Sequence, residues 1–466
     1  MSTKINEFRS KMKHRKVAVL GIGISNTPLI KYLYSMDADI MAFDKSNEDK
    51  LGPVLEEIKD LNIKFSLGDE YLKNLKGFDV VFRTPGMRYD LPEILRAKEE
   101  GAEITSEMEV FFELCCAPIF AVTGSDGKTT TTTLIYNMLK EQGYNCWLGG
   151  NIGIPLLSRV EEIRETDMVV LELSSFQLHT MKRSPNIAVI TNISPNHLDV
   201  HKSMDEYIEA KKNIFVNQKP SDKLILNYDN DITKGFSVEA KGNVVFFSRL
   251  SELDKGAYMK DDRIVYRNSG KEALIVNKED IVIPGVHNIE NYLAAISAVI
   301  DYVDIDNIHK VAATFKGVEH RIEQVRELNG IRFYNDSIAS SPTRTIAGLN
   351  SFKQKVILIA GGYDKKIPYD AMGEVIAEKV KCLVLIGQTG TKIEKALSNE
   401  IMKTGNGKDV NVLKCSSLKE AVEKAYQAAH SGDIIIMSPA SASFDMFKNF
   451  EERGNMFKEI VNSING

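Results

Sequence analysis

The residues with the clearest chemical potential lie in one glycine-containing segment, Thr123–Thr130, which reads TGSDGKTT. Glycines allow backbone N–H groups to close around phosphate oxygens, and a helix after the loop adds the positive end of its dipole. In such a loop Lys128 reaches the terminal phosphates of a nucleotide, and the Thr129 hydroxyl binds Mg²⁺. The segment therefore predicts a nucleoside triphosphate site. Its predicted contacts are Gly124, Ser125, Asp126, Gly127, Lys128, Thr129 and Thr130.

The loop departs from the usual phosphate-binding motif at its first position, where Val122 replaces a glycine. Its context still fits, because a predicted strand precedes it and a predicted helix containing Thr133–Leu139 follows it. The five threonines Thr129–Thr133 disfavour that helix by up to ~0.7 kcal/mol each relative to alanine. Sequences that go against local helix propensity in this way are found more often at functional sites. The alternative interpretation is a glycine turn followed by an ordinary helix cap.

The first part of the chain alternates predicted strands and helices. The apolar runs Val17–Leu20, Ile40–Phe43 and Val80–Phe82 predict strands, and a helix is predicted from about Thr27 to Ser35. This alternation is typical of a parallel sheet that binds ligands at the carboxyl ends of its strands. We expect a Rossmann-like domain over residues 1–106.

The central part, residues 107–317, repeats this alternation around the phosphate loop. Apolar runs at Met168–Leu171 and Ile187–Ile190 predict buried strands. The shorter β-rich runs Val244–Phe247 and Ile264–Tyr266 predict antiparallel strands. We expect an α/β domain of the P-loop ATPase type that carries a small antiparallel sheet.

The last part, residues 318–466, returns to the parallel pattern. The apolar runs Val356–Ala360, Leu383–Ile386 and Ile434–Met437 predict a second Rossmann-like α/β domain. A chain of 466 residues also agrees with three domains at about 150 residues each.

A second glycine-containing turn, Gly21-Ile22-Gly23, follows the first predicted strand. Asp44 lies about 20 residues further on, as in dinucleotide-binding folds, but Asn26 replaces the third glycine of that fingerprint. Three interpretations remain open at this point: an NAD site, a structural tight turn, and a site for another nucleotide.

Composition excludes several classes of protein. Lys and Arg total 59 against 64 for Asp and Glu, a net charge of -5, so no global positive field exists to bind nucleic acid. The apolar runs reach strand length and fall short of the ~20 residues that span a membrane. The five cysteines are odd in number and lack CxxC spacing, which favours a reducing, cytoplasmic compartment. These are Cys115, Cys116, Cys146, Cys382 and Cys415.

Together with the phosphate loop, three later segments resemble the ATP-dependent Mur ligases of peptidoglycan synthesis. They are Gly149–Gly153, Glu172–Leu178 and Asn196–Asp199. The closing segment Ser438–Phe450 resembles the branch that uses D-glutamate, as does Asn335–Ser340, where other branches carry a Tyr-Ala-His type segment. The implied activity is ATP-dependent addition of D-glutamate to UDP-N-acetylmuramoyl-L-alanine through an acyl phosphate. The resemblance also implies a monomer.

The resemblance implies two Mg²⁺ sites. Thr129 would serve the metal on the β- and γ-phosphates, while Glu172, His197 and a carbamylated Lys211 would serve the second. Carbon dioxide adds to the neutral form of a lysine amine, which then loses a proton. The product is an anion, and it can bind a metal that the protonated lysine would repel. The alternatives are a solvated strand end for Glu172, a loop histidine for His197 and a helix-surface lysine for Lys211.

Other residues acquire nucleotide roles by resemblance. Asn288 and Asn291 would approach the adenosine of ATP, Arg321 would neutralise the γ-phosphate, and Asp336 would hold the ribose. The implied catalytic residues are Lys128, His197, Lys211 and Arg321.

The two substrates also receive implied sites. The residues for the UDP precursor are Ile24, Ser25, Asp44, Lys45, Thr84, Pro85, Gly86 and Asn151. Those for D-glutamate are Lys365, Ser443 and Phe450. The chain departs from the pattern at Lys45, often Arg in the family, at Thr84, often Ser, and at Ile338, where some members carry Lys. Lys45 thereby lacks the planar fork of an arginine.

Three other functions remain open from the sequence. One is a different amide ligase of this family, including the folylpolyglutamate type. The second is a nucleotide-dependent switch that uses the phosphate loop to move domains, and the third is a dehydrogenase. Substrate use separates them.

Overall fold

Three sheets carry the functional loops in a computed structural model that describes residues 3–23, 26–194, 201–364 and 367–464. Two compact units contain them. The first comprises residues up to Asp280 together with Ile289–Ala313, and holds the N-terminal and central sheets. The second comprises Ile281–Asn288 and the chain from Thr314 onward, and holds the C-terminal sheet.

The N-terminal sheet has five parallel strands in the order β3-β2-β1-β4-β5. They are β1 (Lys16–Leu20), β2 (Asp39–Asp44), β3 (Lys64–Leu67), β4 (Val80–Arg83) and β5 (Glu103–Thr105). The helices are α1 (Thr3–Met12), α2 (Asn26–Tyr34), α3 (Glu48–Glu56), α4 (Pro92–Glu99) and α5 (Glu107–Leu114). The strand order reverses between β1 and β4, since β2 and β3 lie on one side of β1 while β4 and β5 lie on the other, and a ligand crevice forms at such a switch point. The expected Rossmann-like topology is confirmed.

The central sheet has nine strands in the order β14-β13-β12-β11-β10-β9-β6-β8-β7. They are β6 (Ile119–Thr123), β7 (Cys146–Gly150), β8 (Met168–Glu172), β9 (Ile187–Ile190), β10 (Lys223–Asn227), β11 (Asn243–Ser248), β12 (Gly256–Lys260), β13 (Arg263–Asn268) and β14 (Lys271–Asn277). The helices are α6 (Lys128–Glu141), α7 (Ser175–Leu178), α8 (Met204–Lys212), α9 (Asp231–Gly235), α10 (Val286–Val299) and α11 (Ile305–Thr314).

Only part of the β-rich region is antiparallel. Strand β13 pairs antiparallel with β12 and β14, as the run Ile264–Tyr266 predicts. The prediction for Val244–Phe247 is wrong, because β11 pairs in parallel with both β10 and β12. The antiparallel strands thus continue the parallel sheet at one edge, and a short β-rich run does not reveal the direction of its neighbour.

The C-terminal sheet has six strands in the order β15-β16-β20-β17-β18-β19, with one antiparallel pair, β15 and β16. They are β15 (Glu323–Leu328), β16 (Ile331–Asn335), β17 (Val356–Ala360), β18 (Val380–Leu385), β19 (Asn411–Lys414) and β20 (Ile434–Met437). The helices are α12 (Pro342–Leu349), α13 (Met372–Lys379), α14 (Gly390–Thr404), α15 (Leu418–Gln427) and α16 (Phe450–Ser463). Separate apolar cores cover its two faces.

Long apolar helices are missing from the described part of the chain: none there has the length and hydropathy to cross a bilayer.

Gly256 is a position where the central sheet tolerates only glycine. Its φ of +125° is unfavourable for other residues, and a Cβ would overlap the carbonyl oxygen of Phe246 on the paired strand. Gly270, in the β13–β14 turn, also has a positive φ (+78°), but a Cβ there meets nothing within 4 Å.

We expect Gly256→Ala to lower the free energy of unfolding of the central sheet by more than Gly270→Ala does. The second change adds only backbone strain of about 1–2 kcal/mol, whereas the first adds a steric overlap with fixed backbone. Urea unfolding followed by the fluorescence of Trp147, the single tryptophan, reports on this sheet because Trp147 lies in β7. Equal shifts of the two midpoints would contradict the prediction.

Candidate active site

The phosphate loop connects the fully buried strand β6 to helix α6, as its sequence predicts. Gly127 precedes the helix with a φ of +77°, and a Cβ there would overlap the side-chain carbonyl of Asn291. A Cβ at Gly124 would overlap the hydroxyl of Thr191. The packing of Asn291 and Thr191 against the loop therefore requires glycine at both positions. The backbone amides of the loop lie at the start of a helix, where anions bind.

Ser125 anchors the loop from below. Its buried hydroxyl lies 2.9 Å from the carbonyl oxygen of Ser194, to which it donates, and 3.0 Å from the hydroxyl of Tyr207. The backbone N–H of Asp126 donates to the side-chain oxygen of Asn192 at 3.0 Å, and the Asp126 side chain is exposed. These three hydrogen bonds hold the loop in shape.

Lys128 folds across the loop that precedes it. Its Nζ donates to the carbonyl oxygens of Gly124 and Ser125 at 3.1 and 3.0 Å. Lys128 and Thr129 are both half-buried at the start of α6. The ammonium group therefore lies over the concave side of the loop, where phosphate oxygens would be received.

Three hydroxyls of the threonine run after Lys128 have hydrogen-bond partners. The hydroxyls of Thr132 and Thr133 donate to the carbonyls of Lys128 and Thr129, each at 2.8 Å, and Thr131 donates to Asn291 at 3.2 Å. Such bonds to the preceding turn satisfy buried hydroxyls inside a helix.

Glu172 ends strand β8 and is 1% exposed. Its Oε1 accepts a hydrogen bond of 2.8 Å from the side-chain amide of Asn151. Among the described residues, its buried Oε2 has no hydrogen-bond partner. A buried carboxylate oxygen without a donor is costly, and a divalent cation would satisfy it.

Lys211 lies on α8 and is also 1% exposed. Its Nζ donates to the carbonyl of Gly124 at 2.8 Å and to the hydroxyl of Thr123 at 3.2 Å. Burial lowers the pKa of this ammonium group well below its usual value, and the nearby charge of Lys128 lowers it further, against the opposing influence of Glu172 and Asp126. The amine is thus driven toward its neutral form.

Two of the three residues predicted to bind the second Mg²⁺ lie in the described part of the chain, and their surroundings suit a cation in part. Glu172 offers an unsatisfied oxygen, and Lys211 offers a nitrogen that becomes a ligand group only after it loses its positive charge. His197 lies outside the described residues, so the structure gives no position for it.

The predicted precursor residues gather at the carboxyl ends of β1, β2 and β4. Asp44 accepts backbone N–H groups from Ile22 at 2.8 Å and Ser46 at 2.7 Å, so it shapes the glycine turn directly. Gly21 has a φ of +91° and lies against the side chain of Thr84. These contacts bring the glycine turn, Asp44 and the loop after β4 together.

The other precursor residues are less constrained by contacts. Lys45 is exposed, whereas Asn151 is connected to Glu172 of the central sheet by its side chain and by its backbone N–H, which donates to the Glu172 carbonyl at 2.8 Å. Ile24 and Ser25 lie outside the described residues.

The two predicted adenosine residues have different surroundings. Asn291 is buried against the phosphate loop through Gly127 and Thr131. Asn288 is buried as well, and its side-chain amide donates to the carbonyl of Pro284 at 2.6 Å.

In the second unit, Asp336 follows strand β16 and is 3% exposed. Burial raises the pKa of its carboxyl group to about 7, although Ser438 donates to it at 2.6 Å and Arg321 is nearby.

Arg321 lies between two non-glycine residues with positive φ, His320 at +63° and Ile322 at +46°. A β-branched residue in that conformation is strained, and such strain is common at functional sites.

Two of the three predicted D-glutamate residues lie in the segment that follows β20. Ser443 is buried, and its carbonyl accepts the N–H of Phe447 at 2.8 Å. The carbonyl of Phe450, at the start of α16, accepts the hydroxyl of Ser337 at 2.7 Å. Lys365 lies outside the described residues.

Sequence reasoning missed a buried arginine in this segment. Arg453 donates to the Ser337 carbonyl at 2.7 Å, to the Ser337 hydroxyl at 3.0 Å and to the Ser441 carbonyl at 3.0 Å. Burial lowers the pKa of its guanidinium group to about 10. Arg453 stands in an ordinary helical sequence, which gave no sign that its side chain would be buried and hydrogen-bonded to Ser337 and Ser441.

A cluster of His179, His201 and Glu206 was also missed, and its potential ligand atoms lie within 4.8 Å of one another. Both Glu206 oxygens already accept hydrogen bonds, one from the guanidinium of Arg88 at 2.9 Å and the other from the backbone N–H of Lys202. The cluster is therefore part of an ion-pair network that connects the N-terminal and central sheets.

Three sequence profiles match the chain in succession. They describe the Mur ligase MurD-like N-terminal domain (residues 15–106), the Mur ligase middle domain (122–299) and the Mur ligase glutamate ligase domain (320–441).

Two relatives, each named UDP-N-acetylmuramoylalanine--D-glutamate ligase, match over 100% of both chains. The protein from Acetivibrio thermocellus is 72% identical and that from Ruminiclostridium cellulolyticum is 60% identical. Among solved structures, UDP-N-acetylmuramate-alanine ligase MurC from Thermotoga maritima has a TM-score of 0.59 at 21% identity, covering 97% of this chain and 100% of that one. That likeness supports the fold. The full-length identity to the two ligases, together with the three consecutive domains, shows that the chain belongs to the Mur ligase family.

Proposed function

We propose that this Mur ligase joins D-glutamate to UDP-N-acetylmuramoyl-L-alanine at the expense of ATP. The observation that carries the proposal is the 72% identity, over the whole chain, to a relative of that name. The described geometry supports the use of ATP and a cation, because the phosphate loop, the buried lysine and a buried carboxylate oxygen that has no partner among the described residues lie together at the carboxyl ends of β6 and β8.

The reaction requires two bond-forming steps. The alanine carboxylate of the precursor attacks the γ-phosphorus of ATP, the bond from phosphorus to the bridging oxygen breaks, and ADP leaves. The neutral amine of D-glutamate then attacks the acyl carbonyl, inorganic phosphate departs, and the new amide nitrogen loses a proton.

The first step brings a carboxylate to a phosphate of like charge, so cations must neutralise the site. We assign that role to Lys128 and to Arg321, with Gly124, Ser125, Asp126, Gly127, Thr129 and Thr130 forming the phosphate cradle. Asn288, Asn291 and Asp336 would hold the adenosine part. Mg²⁺, when bound, supplies further charge neutralisation at the phosphates.

We assign one Mg²⁺ to Thr129 and a second to Glu172, His197 and carbamylated Lys211. Two observations support the second assignment: Oε2 of Glu172 has no hydrogen-bond partner in the described part of the chain, and the pKa of Lys211 is lowered by burial. Carbon dioxide adds to a neutral amine, with loss of a proton, and the resulting carbamate is an anion that suits a hard cation.

The substrate ends are assigned to the outer domains. Residues 1–106 would bind the UDP precursor, 107–317 ATP and Mg²⁺, and 318–466 D-glutamate. The precursor contacts are Ile24, Ser25, Asp44, Lys45, Thr84, Pro85 and Gly86, with Asn151 from the central domain. The D-glutamate contacts are Lys365, Ser443 and Phe450. We also propose a cytoplasmic location, since the reaction uses ATP and a nucleotide-linked sugar, and a monomeric state, which rests on the family resemblance alone.

Purified protein with ATP, Mg²⁺ and the UDP precursor should release phosphate with D-glutamate and not with glycine, L-alanine or L-lysine. Phosphate release and mass detection of the amide product provide the measurement. Product formation with another amino acid in place of D-glutamate would overturn the assignment, and hydrolysis without amide product would favour a nucleotide-dependent switch.

Lys128→Ala should lower kcat by at least about 100-fold, because it removes one preorganised donor for the developing phosphate charge. Lys140→Ala is the matched control, since Lys140 lies exposed near the other end of the same helix and should leave kcat unchanged. A small loss for Lys128→Ala would assign Lys128 a structural role.

Lys211→Ala should abolish most activity, and bicarbonate or a short carboxylic acid should partly restore it by supplying the missing anion. Lys212→Ala, at the neighbouring position that pairs with Glu209 and Glu239, should retain activity and show no such rescue. Absence of rescue at Lys211→Ala would contradict the carbamate.

A further inference from the structure

Arg83 is a buried cation to which no role has yet been assigned. It is the last residue of β4, it precedes the loop proposed to contact the UDP precursor, and it is 4% exposed. Burial lowers the pKa of its guanidinium group, and the charge of Glu109 opposes that shift. A charge in such surroundings persists only when its donors are satisfied.

The guanidinium satisfies its donors on the backbone of the loop that follows it. Nη1 donates to the carbonyl oxygens of Thr84 and Pro85, each at 3.2 Å, and to that of Met87. The N–H of Met87 donates to the Thr84 carbonyl at 3.1 Å and closes a turn. The side chain of Arg83 thus fills the inside of this turn and fixes the direction of three of its carbonyls.

The same turn lies against the glycine turn after β1. The N–H of Thr84 donates to the carbonyl of Leu20 at 3.1 Å, and the Thr84 side chain packs on Gly21. A shift of the Arg83 turn would therefore displace both segments proposed to hold the nucleotide end of the precursor.

The other nitrogen of Arg83 points to the central sheet. Nη2 donates to the hydroxyl of Thr180 at 3.3 Å, and Thr180 lies just beyond α7, in the segment that follows Glu172. The Thr180 hydroxyl is also hydrogen-bonded to Glu109, which accepts the hydroxyl of Ser106 at 2.9 Å. The contacts run from the precursor turn through Thr180 to the start of α5.

From this geometry we propose that Arg83 is the positioning residue of the precursor turn at 84–87, and that its contact with Thr180 fixes this turn relative to the central sheet. The proposal rests on the proposed function, because the turn matters for substrate only if it contacts the UDP precursor. Arginine suits this position better than lysine, since its planar fork can direct donors to several acceptors at once and a single ammonium cannot.

Arg83→Met, which keeps most of the side-chain volume, should lower kcat/KM for the UDP precursor about 100-fold through a higher KM, because a displacement near 1 Å in a positioning segment can have an effect of that size. The KM for ATP at saturating precursor should stay unchanged. Arg83→Lys should lie between wild type and Arg83→Met. Thr180→Val should raise the precursor KM less, and adding it to Arg83→Met should cause little further loss because the two residues share one contact.

The matched control is Arg15→Met, because Arg15 pairs with Asp79 at the opposite end of β4. This variant should keep the precursor KM of wild type, and Thr180→Ser, which keeps the hydroxyl, should do the same. A folded Arg83→Met with an unchanged precursor KM, or with equal rises in the KM for precursor and for ATP, would overturn the proposal. If Arg83→Met does not fold, Arg83→Lys and Thr180→Val decide it by the same criterion.

Direct calorimetric titration of the protein with the UDP precursor, without ATP, separates this proposal from the proposed function. Wild-type protein that does not bind the precursor overturns both. Wild-type protein that binds it, with Arg83→Met binding equally well, overturns only the role of Arg83.

Discussion

The central site depends on a lysine buried beneath the phosphate loop. The Nζ of Lys211, on helix α8, donates to the carbonyl of Gly124 and so connects the loop to that helix. Tyr207, one turn earlier on that helix, reaches the hydroxyl of Ser125. The position of α8 therefore determines the position of the phosphate loop, and any change of charge at Lys211 acts directly on the loop backbone.

Packing against the loop is equally restrictive from the other side. Asn291 and Thr191 occupy the space that side chains at positions 127 and 124 would need. The loop is held between elements far apart in sequence, and the hydroxyls of Thr132 and Thr133 in the helix after it are satisfied by hydrogen bonds to the preceding turn. Low local helix propensity is tolerated here because tertiary contacts outweigh it.

Sequence reasoning predicted the local structure correctly for residues placed at strand ends. The spacing of Gly127, Lys128 and Thr129 predicted the loop and helix, and Glu172 was expected at the end of its strand, where it lies. Buried polar networks were not predictable. Arg83, Thr180 and Arg453 lie just outside the segments that carry motifs, and their partners are brought to them only by the fold. The parallel pairing of β11 was not predicted either, because a short apolar run carries no information about the direction of the neighbouring strand.

The folded-back conformation of Lys128 has a consequence for selectivity. Its ammonium group donates to two carbonyl oxygens of its own loop, so its positive charge is held beside the backbone amides at the start of α6. On the proposed function, a triphosphate contacts this charge and several of these amides at once, whereas a single phosphate or sulfate ion contacts fewer of them. We therefore expect the loop to favour a nucleoside triphosphate over small anions.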